Sequence, residues 1–120
     1  WERAEPFFVA VQVRRDELLC ARIDHGRVDL ENVRAVPIDS LRHHVGQTPV
    51  IGIGLDISTI DTTLRQIDGQ TELEIDPADL IHLGRKRFLA GEWSDLEKLE
   101  PLYIQKSQAE IRFEQRRQQF

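Results

Sequence analysis

Apolar residues run through most of this chain, but their spacing changes along it. Residues 6–14 are rich in β-branched and aromatic side chains, which predicts a strand. After a tight turn, residues 17–23 return as a second predicted strand. Residues 28–36 follow the Asp24–Arg27 turn, whose glycine suits a hairpin. The first part of the chain is therefore predicted to be an antiparallel meander of three strands.

The hydrophobic pattern changes after Pro37, which ends the third predicted strand. A short helix is expected over residues 41–45, and residues 50–54 form an apolar run of the kind that is buried in a parallel sheet. A second helix is predicted over residues 58–67. Residues 71–75 alternate between polar and apolar side chains, which indicates a short edge strand.

The clearest helix of the chain is predicted over residues 76–91. Asp76 is a good N-cap, Pro77 suits the first helical position, and Gly91 can end the helix in the left-handed conformation. The apolar residues of this helix and its glycine fall mostly on one side: Leu80, Ile81, Leu83, Gly84 and Phe88. We expect that side to cover the sheet, with Gly84 allowing close approach, and Phe88→Ala to cost about 3–5 kcal/mol of stability.

A meander followed by strand–helix units predicts an α/β domain, with a mixed sheet and helices packed on it. Beyond the long helix, residues 92–100 are polar around the aromatic Trp93. Residues 101–104 read as a short extended piece, and residues 110–120 as a solvated terminal helix rich in arginine and glutamine.

Composition narrows the class of protein. With 120 residues the chain has the size of one domain, and its 40% hydrophobic and 31% charged residues are typical of a globular protein. The net charge of −5 disfavours a nucleic-acid or acidic-membrane partner, and no apolar run approaches the ~18 residues of a membrane span. The single cysteine, Cys20, has apolar neighbours and is expected to be a buried small hydrophobe in a reducing cytosol.

The best candidate for a ligand site is the glycine pair Gly52 and Gly54, with Asp56 close behind it. A dinucleotide-binding fingerprint would need a third glycine at the start of a helix, and none follows. Two explanations remain: a nucleotide-binding turn, or glycines that let the strand and the following chain pack closely. The carboxylates of this region, including Asp61, each have a capping or surface explanation.

Neither a metal site nor catalytic residues are predicted. His43 and His44 are adjacent, so on a helix they point about 100° apart, and His82 is expected to be half-buried on the long helix. A basic face for RNA is one interpretation of the terminal helix, and ordinary pairing between residues i and i+4 is the other. The residues concerned are Lys106, Arg112, Arg116 and Arg117, with Glu110 and Glu114 between them.

Two stretches of the last third, residues 75–84 and 99–110, resemble the end of TsaB (also called YeaZ) proteins. In that family a proline and a small residue open a helix, and a Pro-x-Tyr-Leu-Arg segment followed by Ala-Glu closes the domain. Gln105 stands here where arginine is usual. The positions that match this pattern are Pro101, Tyr103, Ala109 and Glu110.

Earlier stretches resemble the same family in the same order. Residues 8–17 are similar to its strand–Asp-Ala-Arg–turn–Glu pattern, in which Arg14 and Glu17 match and Gln12 replaces the aspartate. Residues 50–54 resemble the family's apolar strand that leads to Gly-x-Gly. The likeness therefore extends from about residue 6 to residue 110.

The resemblance implies that this is the C-terminal half of a TsaB-like protein with an actin-like (RNase H-like) fold of two lobes. Residues 1–110 would be the lobe and residues 111–120 an Arg/Gln-rich tail. TsaB proteins are non-catalytic partners in the threonylcarbamoylation of tRNA adenosine next to the anticodon, in the cytoplasm, so no cofactor is expected. The N-terminal half would contact the catalytic subunit TsaD and form the homodimer, and tRNA would be reached only indirectly.

The chain begins with Trp1 and not with methionine, so we expect it to be a fragment of a longer protein. Two other functions remain open at this point. The chain could be one lobe of an actin-like ATPase or phosphotransferase, with the turn from Gly52 to Asp56 contributing to a nucleotide site. It could also be a stand-alone module that binds a protein through Trp93 and the Arg-rich tail.

Overall fold

A six-stranded mixed sheet forms the centre of the computed structural model, which describes residues 3–104, 106 and 108–118. The strands are β1 (Phe7–Arg14), β2 (Glu17–Asp24), β3 (Arg27–Val28), β4 (Arg34–Pro37), β5 (Val50–Ile53) and β6 (Glu72–Leu73). The α-helices are α1 (Leu41–Val45), α2 (Pro77–Leu89) and α3 (Gln108–Gln118), and single 3₁₀ turns cover Leu30–Asn32, Ile38–Ser40 and Ile57–Thr59.

The strand order is β3-β2-β1-β5-β6, and β4 also pairs with β2. Strands β1, β3 and β4 run antiparallel to β2, whereas β5 runs parallel to β1 and β6 runs parallel to β5. Only β2 therefore runs against the other strands. The predicted antiparallel start, the buried parallel strand and the short edge strand are all confirmed.

The third predicted strand is interrupted. Where one strand was expected over residues 28–36, the structure has β3, the 3₁₀ turn and then β4. The side chain of Asn32 donates to the carboxylate of Asp29 at 2.6 Å, and the Asn32 N–H donates to the carbonyl of Asp29 at 3.2 Å. These local bonds satisfy polar groups that a continuous strand would have paired across the ladder, so they favour the turn.

Core residues lie on both faces of the sheet, because successive side chains of a strand point to opposite sides. One face carries the larger cluster, which includes Ala10, Leu18 and Cys20 and is covered by Leu41 and Val45 of α1. The other face has a smaller cluster: Phe7, Ile51 and Ile67 are buried there, and Val9, Ile23 and Leu73 are only partly buried. The second face is thus covered much less completely than the first.

The helix α2 forms as predicted but does not cover the sheet. The Asp76 carboxylate accepts the Ala78 N–H at 2.8 Å, and Gly91, with φ of 75°, follows the helix. None of the residues of α2 is buried: Phe88 is 58% exposed and contacts Trp93, at 4.6 Å between ring centroids. The prediction that its apolar side is buried is therefore wrong. A periodic pattern shows which side of a helix is apolar, but it does not show whether another part of the chain covers that side.

Two smaller expectations about α2 are also wrong. An added Cβ at Gly84 would meet no atom within 4 Å, so this glycine does not accommodate a close neighbour. His82, expected to be half-buried, is exposed. Both residues are exposed because α2 does not pack against the sheet. None of the helices in the described ranges has the length and apolar character needed to cross a membrane.

The prediction of a helix over residues 58–67 is wrong as well. Only the 3₁₀ turn Ile57–Thr59 forms there, and Leu64 and Ile67 are buried from irregular chain. The Asp61 carboxylate accepts the N–H of Thr63 at 2.8 Å, a local bond that competes with the helical hydrogen-bond pattern. The terminal helix is present as α3, and the expected boundary between residues 110 and 111 falls inside it.

Candidate functional site

The two glycines of the candidate turn have different tasks. Gly52 is buried in β5, and a Cβ on it would overlap the carbonyl oxygen of Leu55 and lie 3.2 Å from a methyl carbon of Ile57. Gly54 is exposed, with φ of 60°, and a Cβ added to it would meet no atom within 4 Å. Close packing of the following chain, one of the two explanations for the glycine pair, is therefore observed at Gly52.

Asp56 holds the turn that follows β5. One carboxylate oxygen accepts the N–H of Ser58 at 2.9 Å and the hydroxyl of Ser58 at 2.6 Å. The hydrogen bond from the Ser58 hydroxyl, followed by those from the Thr71 side chain and the Ser58 N–H, lowers the pKa of Asp56. The carboxylate is therefore ionised at neutral pH and stabilises its own turn as an N-cap.

Asp61 repeats this arrangement five residues later. Its carboxylate accepts the N–H and the hydroxyl of Thr63, and these bonds lower the pKa of Asp61. Arg42 of α1 lies 3.8 Å from the carboxylate and also donates to the Thr63 hydroxyl. The sequence signal is an aspartate followed two positions later by serine or threonine, a pattern that is also found where helices begin.

A cleft of about 500 Å³ lies between these turns and α1, lined by Arg42, Asp61, Asp39 and Ser58 among others. Both carboxylates whose pKa is lowered, Asp56 and Asp61, remain ionised at neutral pH, so neither is a general acid there. Arg42 is already engaged by Asp61 and Thr63. The cleft is therefore a polar surface on which the positive charge of Arg42 is balanced by the carboxylates of Asp39 and Asp61.

The described residues contain no cluster of three or more His, Cys, Asp or Glu side chains that could hold a metal ion. Cys20 is fully buried, and burial raises the pKa of its thiol to about 11, so it is not a thiolate at neutral pH. The expectation that Cys20 is a small core residue is confirmed.

His44 packs against the sheet, while its neighbour His43 is exposed. The His44 ring meets Phe8 edge to face at 5.3 Å, and its Nε2 atom is buried without a hydrogen-bond partner in the described part of the chain. Burial lowers the pKa of His44 below its usual value of 6.5, and the charges of Arg34 and His43 lower it further. The folded protein therefore favours the neutral form of the His44 ring.

We expect the protein to lose stability as the pH falls below about 6.5, because the unfolded chain then binds a proton that folded His44 resists. His44→Phe keeps a ring against Phe8 and should flatten the loss between about pH 7.5 and pH 5.5. Urea unfolding followed by circular dichroism at several pH values measures both chains. A pH dependence that is unchanged in His44→Phe would assign the effect to another group.

The residues that match the TsaB pattern lie in two stretches. Arg14 and Glu17 end β1 and begin β2, and they are paired across that turn. The other matches lie after α2: Pro101 and Tyr103 are in irregular chain, and Ala109 and Glu110 are in the first turn of α3. Gln12 is exposed, and its side chain donates to the Arg15 carbonyl at 3.3 Å. Gln105 lies outside the described residues.

The basic residues of the C-terminal region are partly neutralised. Lys106 donates to both carboxylate oxygens of Glu114, at 2.6 and 2.8 Å, and this bond raises the pKa of Lys106. Arg117 lies over the ring of Phe113, 5.9 Å from its centre. The ion pair joins Lys106 to the helix across eight positions, which differs from the i,i+4 pairing expected within it.

Neither a scan of protein-family models nor a search of curated proteins finds a match to this chain.

Proposed function

We propose that the chain is a non-catalytic scaffold lobe of a TsaB-like protein that supports threonylcarbamoylation of tRNA adenosine next to the anticodon. The observation that carries the proposal is the strand order of the sheet. Three neighbouring antiparallel strands lie on one side of the sheet, two parallel strands follow beyond β1, and only β2 is reversed. This order supports the proposal because it is the one expected of an RNase H-like sheet. That is the fold that the resemblance of residues 6–110 implies.

Two further observations support a lobe without chemistry of its own. The carboxylates of Asp56 and Asp61 are engaged by hydrogen bonds within their own turns. The apolar side of α2 is uncovered in the described part of the chain, as expected if another part of a two-lobed protein covers it. In this proposal the N-terminal half contacts a TsaD-like catalytic subunit and forms the homodimer, and tRNA is reached through the complex in the cytoplasm.

Depleting the protein in its organism of origin should lower the threonylcarbamoyladenosine content of tRNA, measured by mass spectrometry of digested tRNA. Reintroducing the full reading frame should restore the modification. An unchanged modification level after depletion would overturn the proposal. ATP hydrolysis that copurifies with this protein alone would instead favour the actin-like ATPase alternative.

Tyr103→Ala in the full reading frame should reduce this restoration, because Tyr103 matches the family pattern and is 80% exposed, so that it is available to a partner. The same substitution should leave the urea midpoint unchanged. Phe113→Ala is the matched control, since Phe113 is also aromatic and exposed but matches no family position. Equal restoration by both variants would show that the scaffold function does not need Tyr103.

A further inference from the structure

An open groove of about 1250 Å³ lies between the last turns of α2 and the β2–β3 hairpin. Its apolar lining is exposed, with Val28 and Leu83 each 47% and Leu30 60% accessible. Arg27 and Lys86 also line it, and neither has an ion-pair partner among the described residues. The groove is thus apolar and basic together, and it suits an acidic segment with apolar side chains.

The chain itself contains such a segment directly after α2. Residues 92–100 carry the acidic side chains Glu92, Asp95, Glu97 and Glu100, with Lys98 as the single basic one. Their apolar side chains recur every third position and are strongly exposed: Trp93 71%, Leu96 83% and Leu99 62%. This segment complements the groove in charge and in apolar character.

The segment of one chain does not fill the groove of the same chain. Glu92 reaches its edge, 3.9 Å from Arg87, but Trp93 then turns away and contacts Phe88. At about 100° per residue, Phe88 lies about 140° around α2 from Leu83 and about 160° from Lys86, and both of these residues line the groove. The complementary segment is therefore available to another molecule.

The chain also exposes more surface than a compact domain of its size. Its accessible area is 9865 Å², against about 6,700 Å² expected for 13.9 kDa. Its radius of gyration is 17.2 Å, against about 13–14 Å for a compact 120-residue domain. A stable dimer needs only about 800 Å² from each partner. The excess, about 3,000 Å², exceeds that requirement.

We propose that two copies of this chain pair by placing the 92–100 segment of each in the groove of the other. Groove and segment adjoin at Glu92, so a two-fold axis near the end of α2 would bring both contacts together in one closed interface. This interface goes beyond the proposed scaffold function and does not depend on it. It also differs from the homodimer contact that the N-terminal half would form.

Light scattering after gel filtration measures the mass of the purified chain over a range of concentrations. We expect twice the 13.9 kDa of the monomer at high concentration, with weaker association at high salt, since charges contribute to the contact. A monomer at every concentration would overturn the proposal.

A charge exchange tests the contact itself. Arg27→Glu with Lys86→Glu makes the groove acidic, and Glu97→Lys with Glu100→Lys makes the segment basic; all four side chains are exposed, so both variants should fold. Each variant alone should dimerise on the order of 100-fold more weakly than the unchanged chain, because like charges then face each other. Mixed together, they should form a heterodimer, since both contacts regain opposite charges.

Arg116→Glu with Arg117→Glu is the matched control, because it makes the same charge change on α3, outside groove and segment. This variant should dimerise as the unchanged chain does. Circular dichroism of every variant establishes that it is folded. Dimers that persist in both single-site variants, or a mixture that stays monomeric, would overturn the proposed contact.

Discussion

Gly52→Ala is expected to cost about 3 kcal/mol or more of folding free energy, a large part of the stability of a typical domain. The added Cβ would overlap the carbonyl oxygen of Leu55 and lie 2.8 Å from its carbonyl carbon. Both atoms belong to the backbone, so no rotamer change can relieve the contact. The N–H of Gly52 also donates to the carbonyl of Thr71 at 3.1 Å. A shift of β5 that relieved the overlap would therefore disturb the pairing of β5 with β6.

Gly84→Ala is the matched control because it makes the same chemical change in open space. A Cβ at Gly84 meets no atom within 4 Å, and alanine favours a helix interior by about 0.5–1 kcal/mol. The urea midpoint should therefore rise in Gly84→Ala and fall sharply in Gly52→Ala. Equal midpoints would show that the chain after β5 does not approach Gly52 as described.

Leu18→Ala is expected to cost about 2–5 kcal/mol, since Leu18 is fully buried in the larger core cluster. The side chain lies on β2 and packs on the face that α1 covers. Removing it leaves a cavity between rigid strands that can close only in part. Denaturation by urea, with the midpoint and slope fitted together, measures the loss.

The comparison variant is Phe88→Ala on α2, for which the sequence pattern predicted a cost of about 3–5 kcal/mol. Phe88 is 58% exposed and its described aromatic contact is Trp93, so the expected cost is only about 1 kcal/mol, the size of one aromatic pair. A loss at Phe88 as large as at Leu18 would mean that α2 packs against a surface in solution. Measuring both variants at several protein concentrations would reveal whether that surface is a second copy.

Local sequence signals determined the elements whose cause is itself local. Asp76, Pro77 and Gly91 specify where α2 begins and ends through short-range hydrogen bonds and backbone preferences, and the structure agrees. The β-branched and aromatic runs specify β1 and β5 because such side chains suit a pleated, half-buried surface. The position of Cys20 in the core follows in the same way from its apolar neighbours.

The errors arose where two local preferences compete. Residues 58–67 have helical spacing, but the aspartates at positions 56 and 61 bond the backbone two residues ahead and hold turns. The strand expected over residues 28–36 is broken by a turn in which the Asn32 side chain donates to the Asp29 carboxylate. In both segments hydrogen bonds of short polar side chains determine the conformation. The spacing of the apolar residues contains no information about these bonds.

For the candidate site, the sequence indicated the glycine pair and Asp56 but could not assign their tasks. Gly52 is needed because the backbone of Leu55 packs directly against it. The position of Leu55 is set by the tertiary structure. Arg42, which meets Asp61 and Thr63, was not found, because it comes from α1 and 19 to 21 positions separate the partners. A contact between separate elements leaves no periodic signal along the chain.

By itself, then, the sequence determined the α/β class, the antiparallel start of the sheet and the limits of α2, because these depend on neighbours within a few positions. Only the tertiary structure decided which apolar surfaces are covered. The apolar side of α2 and the residues of α1 have comparable patterns, yet Leu41 is buried and Phe88 is not. Burial depends on the surface that another part of the chain, or another molecule, presents to a helix, and periodicity does not encode that surface.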